Sequence, residues 1–122
     1  RCYSHADRHP ERPLLHMGEV LRFIDQHYDE PITIAQLTKR AHMSESSLMR
    51  TFRRVLNRSP IEHVIRVRIQ KAADLLRHGD VRITEAAFEC GFSDSNYFSR
   101  QFRRIMGLSP RAYRARHVPP AR

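Results

Sequence analysis

The sequence predicts an all-α protein of seven helices, in which two similar helical units flank one long central helix. The composition contains no Trp, four Gly and 40% hydrophobic residues, which suits helices better than strands. Apolar residues recur at three- and four-residue steps, and helix-capping residues separate these runs. One stretch also occurs twice, with a separation of 49 positions between Met43 and Phe92 and of 50 positions between Phe52 and Phe102. A residue is therefore inserted between these points of the second copy.

The first helix follows a polar N-terminal region. Residues 1–13 contain two prolines and no periodicity, so they are predicted to be a linker or a disordered terminus. An amphipathic helix comes next, and Pro31 ends it because proline disfavours helical geometry in the residue before it. Its apolar positions are Leu14, Met17, Leu21, Ile24 and Tyr28.

The second helix is short and leads into a tight turn. Thr33 and Gln36 have the spacing of a capping box, which predicts a helix that starts after Thr33 and runs to about Ala41. His42 then occupies the position where the chain must reverse. Glycine fits such a position most easily, and histidine is among the residues that tolerate a positive φ.

The third helix is predicted at about 45–56, with Ser44 as its N-cap and Asn57 in a left-handed position at its end. The long central helix begins at the cap Ser59 and ends before Gly79. Its apolar stripe is Ile61, Ile65, Ile69, Ala72 and Leu76. About 18 residues at 1.5 Å each give this helix a length of about 27 Å.

The second unit repeats the order of the first. A short helix is predicted at 83–90, and after a turn at Gly91 the residue Ser93 caps a helix at about 94–106. Ser109 and Pro110 open the last helix. The predicted organisation is a terminus at 1–13, a first subdomain at 14–58, a linking helix at 59–78, a second subdomain at 79–117 and a disordered tail at 118–122.

The charge distribution predicts a polyanionic partner. The net charge is +9, and residues 31–122 carry eighteen basic against seven acidic residues, whereas residues 1–30 carry four against six. Nucleic acid is the first candidate and a membrane surface the second. Twenty of the twenty-two basic residues are Arg, which fits bidentate recognition of phosphate or guanine and fits a codon bias of the source genome equally well.

Other features of the sequence argue against a membrane-spanning protein, a secreted protein and an enzyme. No segment approaches the roughly 18 apolar residues of a transmembrane helix, and no signal peptide is visible, so neither a membrane protein nor a secreted one is predicted. The two distant cysteines predict a reducing, cytoplasmic location. No catalytic constellation is present, so we expect no enzyme and no cofactor. The absence of Met at position 1 suggests a fragment of a longer protein, although a stand-alone chain is the alternative.

Cysteine and histidine residues do not predict a metal site. Cys2, His5 and His9 have ligand-like spacing, but no fourth ligand stands near them and coincidence explains the spacing better. Cys90 stands at the end of a short helix beside Gly91 and is predicted to be a small buried residue.

A short helix, a tight turn and a second, Arg-rich helix form the arrangement of a helix-turn-helix unit. Two such units joined by one helix resemble the DNA-binding domain of the AraC/XylS family of bacterial transcription regulators. The matching residues of the first unit and linking helix are Leu37, Ala41, Met43, Ser44, Leu48, Arg50, Phe52, Ser59, Pro60, Arg68, Ala72, Leu75 and Leu76. Those of the second unit are Ile83, Ala87, Gly91, Phe92, Ser93, Tyr97, Phe98, Arg100, Phe102, Arg103, Ser109 and Pro110.

The resemblance extends from about Leu14 to His117 and implies a function. It implies a cytoplasmic regulator that binds double-stranded DNA and activates transcription through contact with RNA polymerase. It also implies a separate N-terminal domain for effector binding or dimerisation. The departures are small: His42 and Asn57 replace glycine, and Arg82 stands where Ser or Thr would cap the helix.

Helical spacing separates two faces of each Arg-rich helix. One stripe is predicted to be core: Leu48, Phe52 and Val55, then Phe98, Phe102 and Ile105. The opposite stripe is predicted to contact base edges: Ser46, Met49, Arg50, Arg53, Ser95, Asn96, Ser99, Arg100 and Arg103. The predicted phosphate contacts are Ser44, Arg54, Arg66, Ser93, Arg104, Arg111 and Arg114, and solvation is the alternative for these arginines. Arg68 is interpreted as a structural ion-pair partner.

The two contact sets differ, so we expect an asymmetric site. The length of the linking helix approaches the roughly 34–36 Å of one DNA turn, which would allow the two helices to read successive major grooves. The alternative function is an Arg-rich helical module that binds acidic proteins or membrane surfaces. The Phe52 and Phe102 stripe argues against that alternative, because it already serves a globular core.

Overall fold

The computed structural model describes residues 11–117, and this part of the chain contains seven α-helices and no strand. The predicted all-α fold is therefore confirmed. In chain order the helices are α1 (Glu11–His27), α2 (Ile34–Ala41), α3 (Glu45–Leu56), α4 (Pro60–Arg77), α5 (Ile83–Glu89), α6 (Ser95–Met106) and α7 (Pro110–His117). The disorder predicted for the two ends of the chain falls mostly on residues 1–10 and 118–122, which lie outside the described residues.

The start of α1 differs from the prediction. The sequence predicts a linker through residue 13, whereas α1 begins at Glu11. Pro13 falls in the first turn, where backbone N–H groups have no intrahelical acceptor, so a missing N–H removes no hydrogen bond of the helix. The predicted linker is therefore wrong for residues 11–13.

The chain divides into two compact units. The first contains residues 11–27 and Ile32–His63, and the second contains Tyr28–Pro31 and residues 64–117. The helix α4 contributes its first turn to the first unit and its remainder to the second. The residues Tyr28–Pro31, which follow α1, belong to the second unit, although α1 and α2 both belong to the first.

In the first unit, α1 packs against α2 and α2 against α3. Its fully buried side chains are Met17, Val20 and Ile24 of α1, Leu37 and Ala41 of α2, and Leu48 and Phe52 of α3. Leu14 of the predicted stripe is 57% exposed. The predicted stripe is wrong at this position, because α1 has 17 residues and α2 only 8, so α2 covers only part of α1.

The second unit is built around a row of aromatic rings. Phe98 lies 5.1 Å from Phe92 and 5.6 Å from Phe102, and Phe102 lies 5.4 Å from Tyr113, measured between ring centroids. Offset and edge-to-face pairs of this kind stabilise a core beyond the area that they bury. Around the rings lie Ile69, Ala72, Ala73 and Leu76 of α4, together with Ala86, Ala87 and Cys90.

Cys90 has the role predicted for it. Its side chain is buried and free of any disulfide. Burial, followed by the nearby carboxylate of Glu89, raises the pKa of the thiol to about 11. The thiol is therefore protonated at neutral pH and packs as a small apolar group.

Local capping signals position the helices of the first unit. The backbone N–H of Thr33 donates to Gln36 Oε1 at 2.8 Å, and that of Gln36 donates to Thr33 Oγ1 at 3.1 Å. The predicted capping box is therefore confirmed. His42 and Asn57 adopt φ of 56° and 57°, so both predicted left-handed turns are also present. Ser44 accepts from the N–H of Ser47 as the cap of α3.

Two predicted core positions are exposed. Val55 of α3 and Ile61 of α4 each have 42% of their surface accessible to solvent, so their assignment to the core is wrong. Each lies within one turn of a helix end. At these positions the neighbouring parts of the fold no longer cover the side chain. Ile105, the counterpart of Val55, packs half-buried against the aromatic core of the second unit.

The N-cap of α6 is Asp94, whereas the sequence predicts Ser93. Asp94 Oδ1 accepts from the backbone N–H groups of Asn96 at 2.8 Å and Tyr97 at 3.3 Å. A carboxylate at this position also interacts favourably with the positive end of the helix dipole. The inserted residue of the second copy therefore lies in the turn before the cap, and from the caps Ser44 and Asp94 onward the two copies stay 50 positions apart.

This correction makes a testable prediction. Asp94→Ala is expected to lower the free energy of unfolding by about 1 kcal/mol, because two N–H groups lose their acceptor. Ser93→Ala is the matched control and is expected to stay within about 0.5 kcal/mol of the parent. Urea unfolding followed by circular dichroism measures both values. Equal losses in the two variants would contradict the assignment of the cap.

Candidate nucleic-acid interface

The helices α3 and α6 present equivalent faces to solvent. Each has 12 residues, and every residue of α6 lies 50 positions after its counterpart in α3. Leu48 and Phe52 are fully buried on one side of α3, and Phe98 and Phe102 on the same side of α6. The other side carries Ser46, Met49, Arg50 and Arg53 in α3, and Asn96, Ser99, Arg100 and Arg103 in α6.

The predicted base-contacting residues all lie on these outward faces. Most of them are exposed, and only Met49 and Ser99 are half-buried. Ser95 is exposed as well, and its counterpart in α3 is Glu45. Each predicted set is therefore brought together on one accessible side of one helix, and the contact roles themselves remain predictions.

The outward arginines have only weak local partners. Arg50 Nη2 donates to Ser47 Oγ at 3.3 Å, and Arg53 Nη1 donates to the carbonyl of Asn57 at 3.4 Å. The guanidinium of Arg100 lies 5.9 Å from the centre of the Tyr97 ring. Within residues 14–117, no carboxylate forms an ion pair with the outward arginines of either helix. Their guanidinium groups can therefore turn toward an external acceptor at little cost.

The predicted phosphate-contacting residues have more varied surroundings. Arg104 donates through Nε and Nη2 to Gln101 Oε1 at 2.9 and 2.7 Å, and Arg114 donates to the carbonyl of Val81. Arg66 and Arg114 are half-buried. The exposed members of the set are Ser44, Arg54, Ser93, Arg104 and Arg111. Arg114 thus joins α7 to the start of the α5 region, a structural contact that the sequence did not reveal.

Arg68 has a structural role that sequence reasoning assigned only in part. Its guanidinium donates to the carbonyls of Tyr28 at 2.6 Å, Glu30 at 2.9 Å and Gly91 at 3.3 Å. The acceptors are backbone carbonyls, so the predicted ion pair is wrong. Burial lowers the pKa of this arginine. The contact joins the turn between α5 and α6 to the segment that follows α1, within the second unit.

The structure also bears on metal binding and on membrane-spanning helices. Among residues 14–117, no three His, Cys, Asp or Glu side chains come together in a way that could hold a metal ion. Cys2, His5 and His9 lie outside the described residues. Of the seven described helices, none is both long and apolar enough to span a membrane.

Comparison with known protein families gives one match that covers most of the chain. A family model described as a helix-turn-helix domain matches residues 37–116. The HTH-type transcriptional activator RhaS of Escherichia fergusonii is 36% identical over 98 residues, which make up 80% of this chain and 35% of RhaS. The chain spans about a third of the length of the curated relatives that it matches.

Two solved structures are similar over nearly their full length. A probable AraC family transcriptional regulator from Rhodopseudomonas palustris CGA009 is 32% identical with a TM-score of 0.77, and the match covers 86% of this chain and 99% of that one. The DNA-binding domain of AdpA, a global transcriptional factor, was solved in complex with a target DNA. It is 34% identical with a TM-score of 0.76, over 82% of this chain and 90% of that domain.

Proposed function

The chain belongs to the AraC/XylS family of helix-turn-helix transcription regulators, and from this premise we propose that it binds double-stranded DNA in a sequence-specific manner through α3 and α6. The two helices are proposed to read successive major grooves of one asymmetric site. The observation that carries the proposal is the pair of matching outward faces. Both are rich in arginine, and both oppose a buried apolar pair, Leu48 and Phe52 in α3 and Phe98 and Phe102 in α6. Their residues differ at the outward positions that precede the arginines.

The outward residues divide into a repeated part and a variable part. Arg50 and Arg53 recur as Arg100 and Arg103, and an arginine can donate two hydrogen bonds to a guanine edge. Ser46 and Met49 are replaced by Asn96 and Ser99. Asparagine can pair with adenine, whereas methionine can only offer apolar contact to a thymine methyl group. Two patches of different sequence are therefore expected, which makes the whole site asymmetric.

The remaining basic residues are proposed to hold the DNA backbone. Arg54 and Arg104 follow the outward arginines in the two helices, and Arg111 is exposed on α7. Contacts of this kind fix register on the duplex without reading sequence. Ser44, Arg66, Ser93 and Arg114 complete the proposed phosphate-contacting set. AdpA, whose domain resembles this chain, was solved on its target DNA, which supports a duplex as the ligand.

The whole protein is proposed to activate transcription. RhaS is described as a transcriptional activator, and the match to this chain covers about a third of the length of RhaS. Contact with RNA polymerase, and an effector-binding or dimerisation domain elsewhere in the protein, are parts of the same proposal. An in vitro transcription assay at a promoter that contains the selected site would test the activation step directly.

Selection of bound sequences from random duplex DNA tests the central proposal. We expect one asymmetric site with two preferred patches about 10 base pairs apart, since that is one helical turn. Affinity for the selected site should fall by about a thousandfold between 50 and 200 mM salt, as for proteins with six or more phosphate contacts. Equal affinity for every duplex and for heparin would contradict the proposal and favour an unspecific polyanion-binding module.

A further inference from the structure

A basic groove between α1 and α2 is not used by the proposed reading of DNA. Its volume is about 730 Å³, within the range of about 300–1,000 Å³ typical of ligand sites. It contains no residue of α3. The side chains around it include Glu19, Arg22, Phe23, Lys39 and Arg40.

The groove combines positive charge with an aromatic floor. The guanidinium of Arg40 lies 4.4 Å above the ring of Phe23, and such a stack holds both groups in place. Arg22 and Lys39 add two further cations, and within residues 14–117 no carboxylate forms an ion pair with either of them. Glu19 is the one acidic side chain of the lining. The groove therefore suits a partner that carries carboxylates beside an apolar group.

The same chain presents a surface of that chemistry on α5. Phe88 is 76% exposed, the highest exposure among the large apolar side chains described. Glu85 lies three residues before Phe88 and Glu89 one residue after it, and at 3.6 residues per turn the three side chains fall within about 100° of the helix surface. Single exposed apolar side chains are common on protein surfaces, so the candidate contact is defined by the ring together with the two carboxylates beside it. Its acidic surroundings would repel the phosphates of DNA, so the surface is not suited to the duplex.

We propose that α5 of one copy docks into the α1/α2 groove of a second copy bound next to it on the same DNA. The ring of Phe88 would contact Phe23, and the carboxylates of α5 would face the cations of the groove. The proposed contact is head-to-tail: each pair of neighbours uses α5 of one copy and the groove of the next once, so both copies have the same orientation. It therefore requires sites in direct repeat. The proposal rests on the proposed DNA binding.

The contact is expected to be weak in free solution. One face of a seven-residue helix is much smaller than the roughly 800 Å² that each partner buries in a stable complex. Two copies on neighbouring sites reach an effective concentration in the millimolar range, where a weak contact becomes significant. The result is cooperative occupancy of adjacent sites, and couplings of this kind are typically about 5–150-fold.

The test uses DNA that carries two selected sites, either in direct repeat at spacings stepped through one helical turn or in inverted repeat. Gel-shift titration of the chain on these duplexes, and on a single site, measures the cooperativity factor. We expect cooperativity of at least about fivefold on the direct repeat at one phase, and none on the inverted repeat. The single-site affinity reports the proposed DNA binding separately, so failure of either idea can be recognised.

Variants of α5 and of the groove test the two surfaces. Phe88→Ala should abolish cooperativity and leave the single-site affinity unchanged. Glu89→Lys should also abolish cooperativity, and because it adds two positive charges its cooperativity factor is taken relative to its own single-site affinity. Glu89 is preferred to Glu85, because the carboxylate of Glu85 accepts from the backbone N–H of Arg82 at the start of α5. Arg22→Glu should also abolish cooperativity, and the double variant Glu89→Lys with Arg22→Glu should restore it.

Three results would overturn the docking proposal. One is cooperativity that is unchanged by Phe88→Ala and Glu89→Lys. Another is equal cooperativity on direct and inverted repeats, and the third is a double variant without restored cooperativity. If the α5 variants lost transcription activation and kept cooperative binding, the surface would instead belong to RNA polymerase.

Discussion

Gly91→Ala is expected to lower the free energy of unfolding by roughly 2–6 kcal/mol, because backbone strain and overpacking act together there. Gly91 has φ of 98°, a conformation that strains any residue with a Cβ. An added Cβ would also lie 2.9 Å from Arg68 Nε and 3.0 Å from the carbonyl oxygen of Tyr28. The backbone cannot move away easily, since Arg68 holds it at both places.

Gly107→Ala provides the matched control. Gly107 also has a positive φ, of 85°, but apart from its two chain neighbours no atom of the described residues lies within 4 Å of the position that its Cβ would occupy. The expected loss is therefore the strain alone, about 1–2 kcal/mol. Urea unfolding of the two variants separates strain from crowding. Equal losses would mean that the contact between Arg68 and the turn does not restrict Gly91.

The elements that sequence reasoning predicted well are those determined by neighbours in the chain. The capping box at Thr33 needs only a glutamine three residues later, and the left-handed ends at His42 and Asn57 follow directly from where their helices stop. Periodicity placed the buried and outward sides of α3 and α6 for the same reason, because 3.6 residues per turn fix which side chains share a face. These signals are local and appear in the sequence itself.

The features that were missed depend on contacts between distant parts of the chain. Arg68 lies 40 residues from Tyr28 and 23 from Gly91, and no local pattern indicates that its acceptors are carbonyls. Val55 and Ile61 continue apolar stripes, but whether a neighbouring helix covers them depends on tertiary packing. The cap of α6 is an intermediate case, since Ser93 and Asp94 are both good caps and the backbone geometry selects between them.

In the candidate site, too, the features set by local spacing were predicted and those set by contacts between distant residues were missed. Spacing alone predicted which side chains face outward on α3 and α6. It did not separate arginines with structural partners from those without, so Arg114 and Arg54 received the same predicted role. Arg114 donates to the carbonyl of Val81, which keeps part of its hydrogen-bonding capacity inside the fold.

Arg100→Ala is expected to relax the base preference at one patch of the selected site, by roughly 1–3 kcal/mol at the contacted base pair. The physical reason is the loss of two hydrogen bonds to one base edge, with the rest of the interface left intact. Preference at the other patch, which Arg50 is proposed to read, should not change. Binding of a panel of single-base variants of the site, measured at one salt concentration, gives both values.

Arg104→Ala is the matched control on the same helix. Arg104 is held by Gln101 and is proposed to contact a phosphate, so its removal should weaken binding to every sequence about equally. The slope of log affinity against log salt concentration should also fall by about 1. The two variants remove the same charge four residues apart, so long-range electrostatics affects both alike and only contact with a base edge distinguishes them. A uniform loss for Arg100→Ala, with an equal change in salt slope, would assign Arg100 to the DNA backbone and leave Asn96 and Ser99 as the readers of that patch.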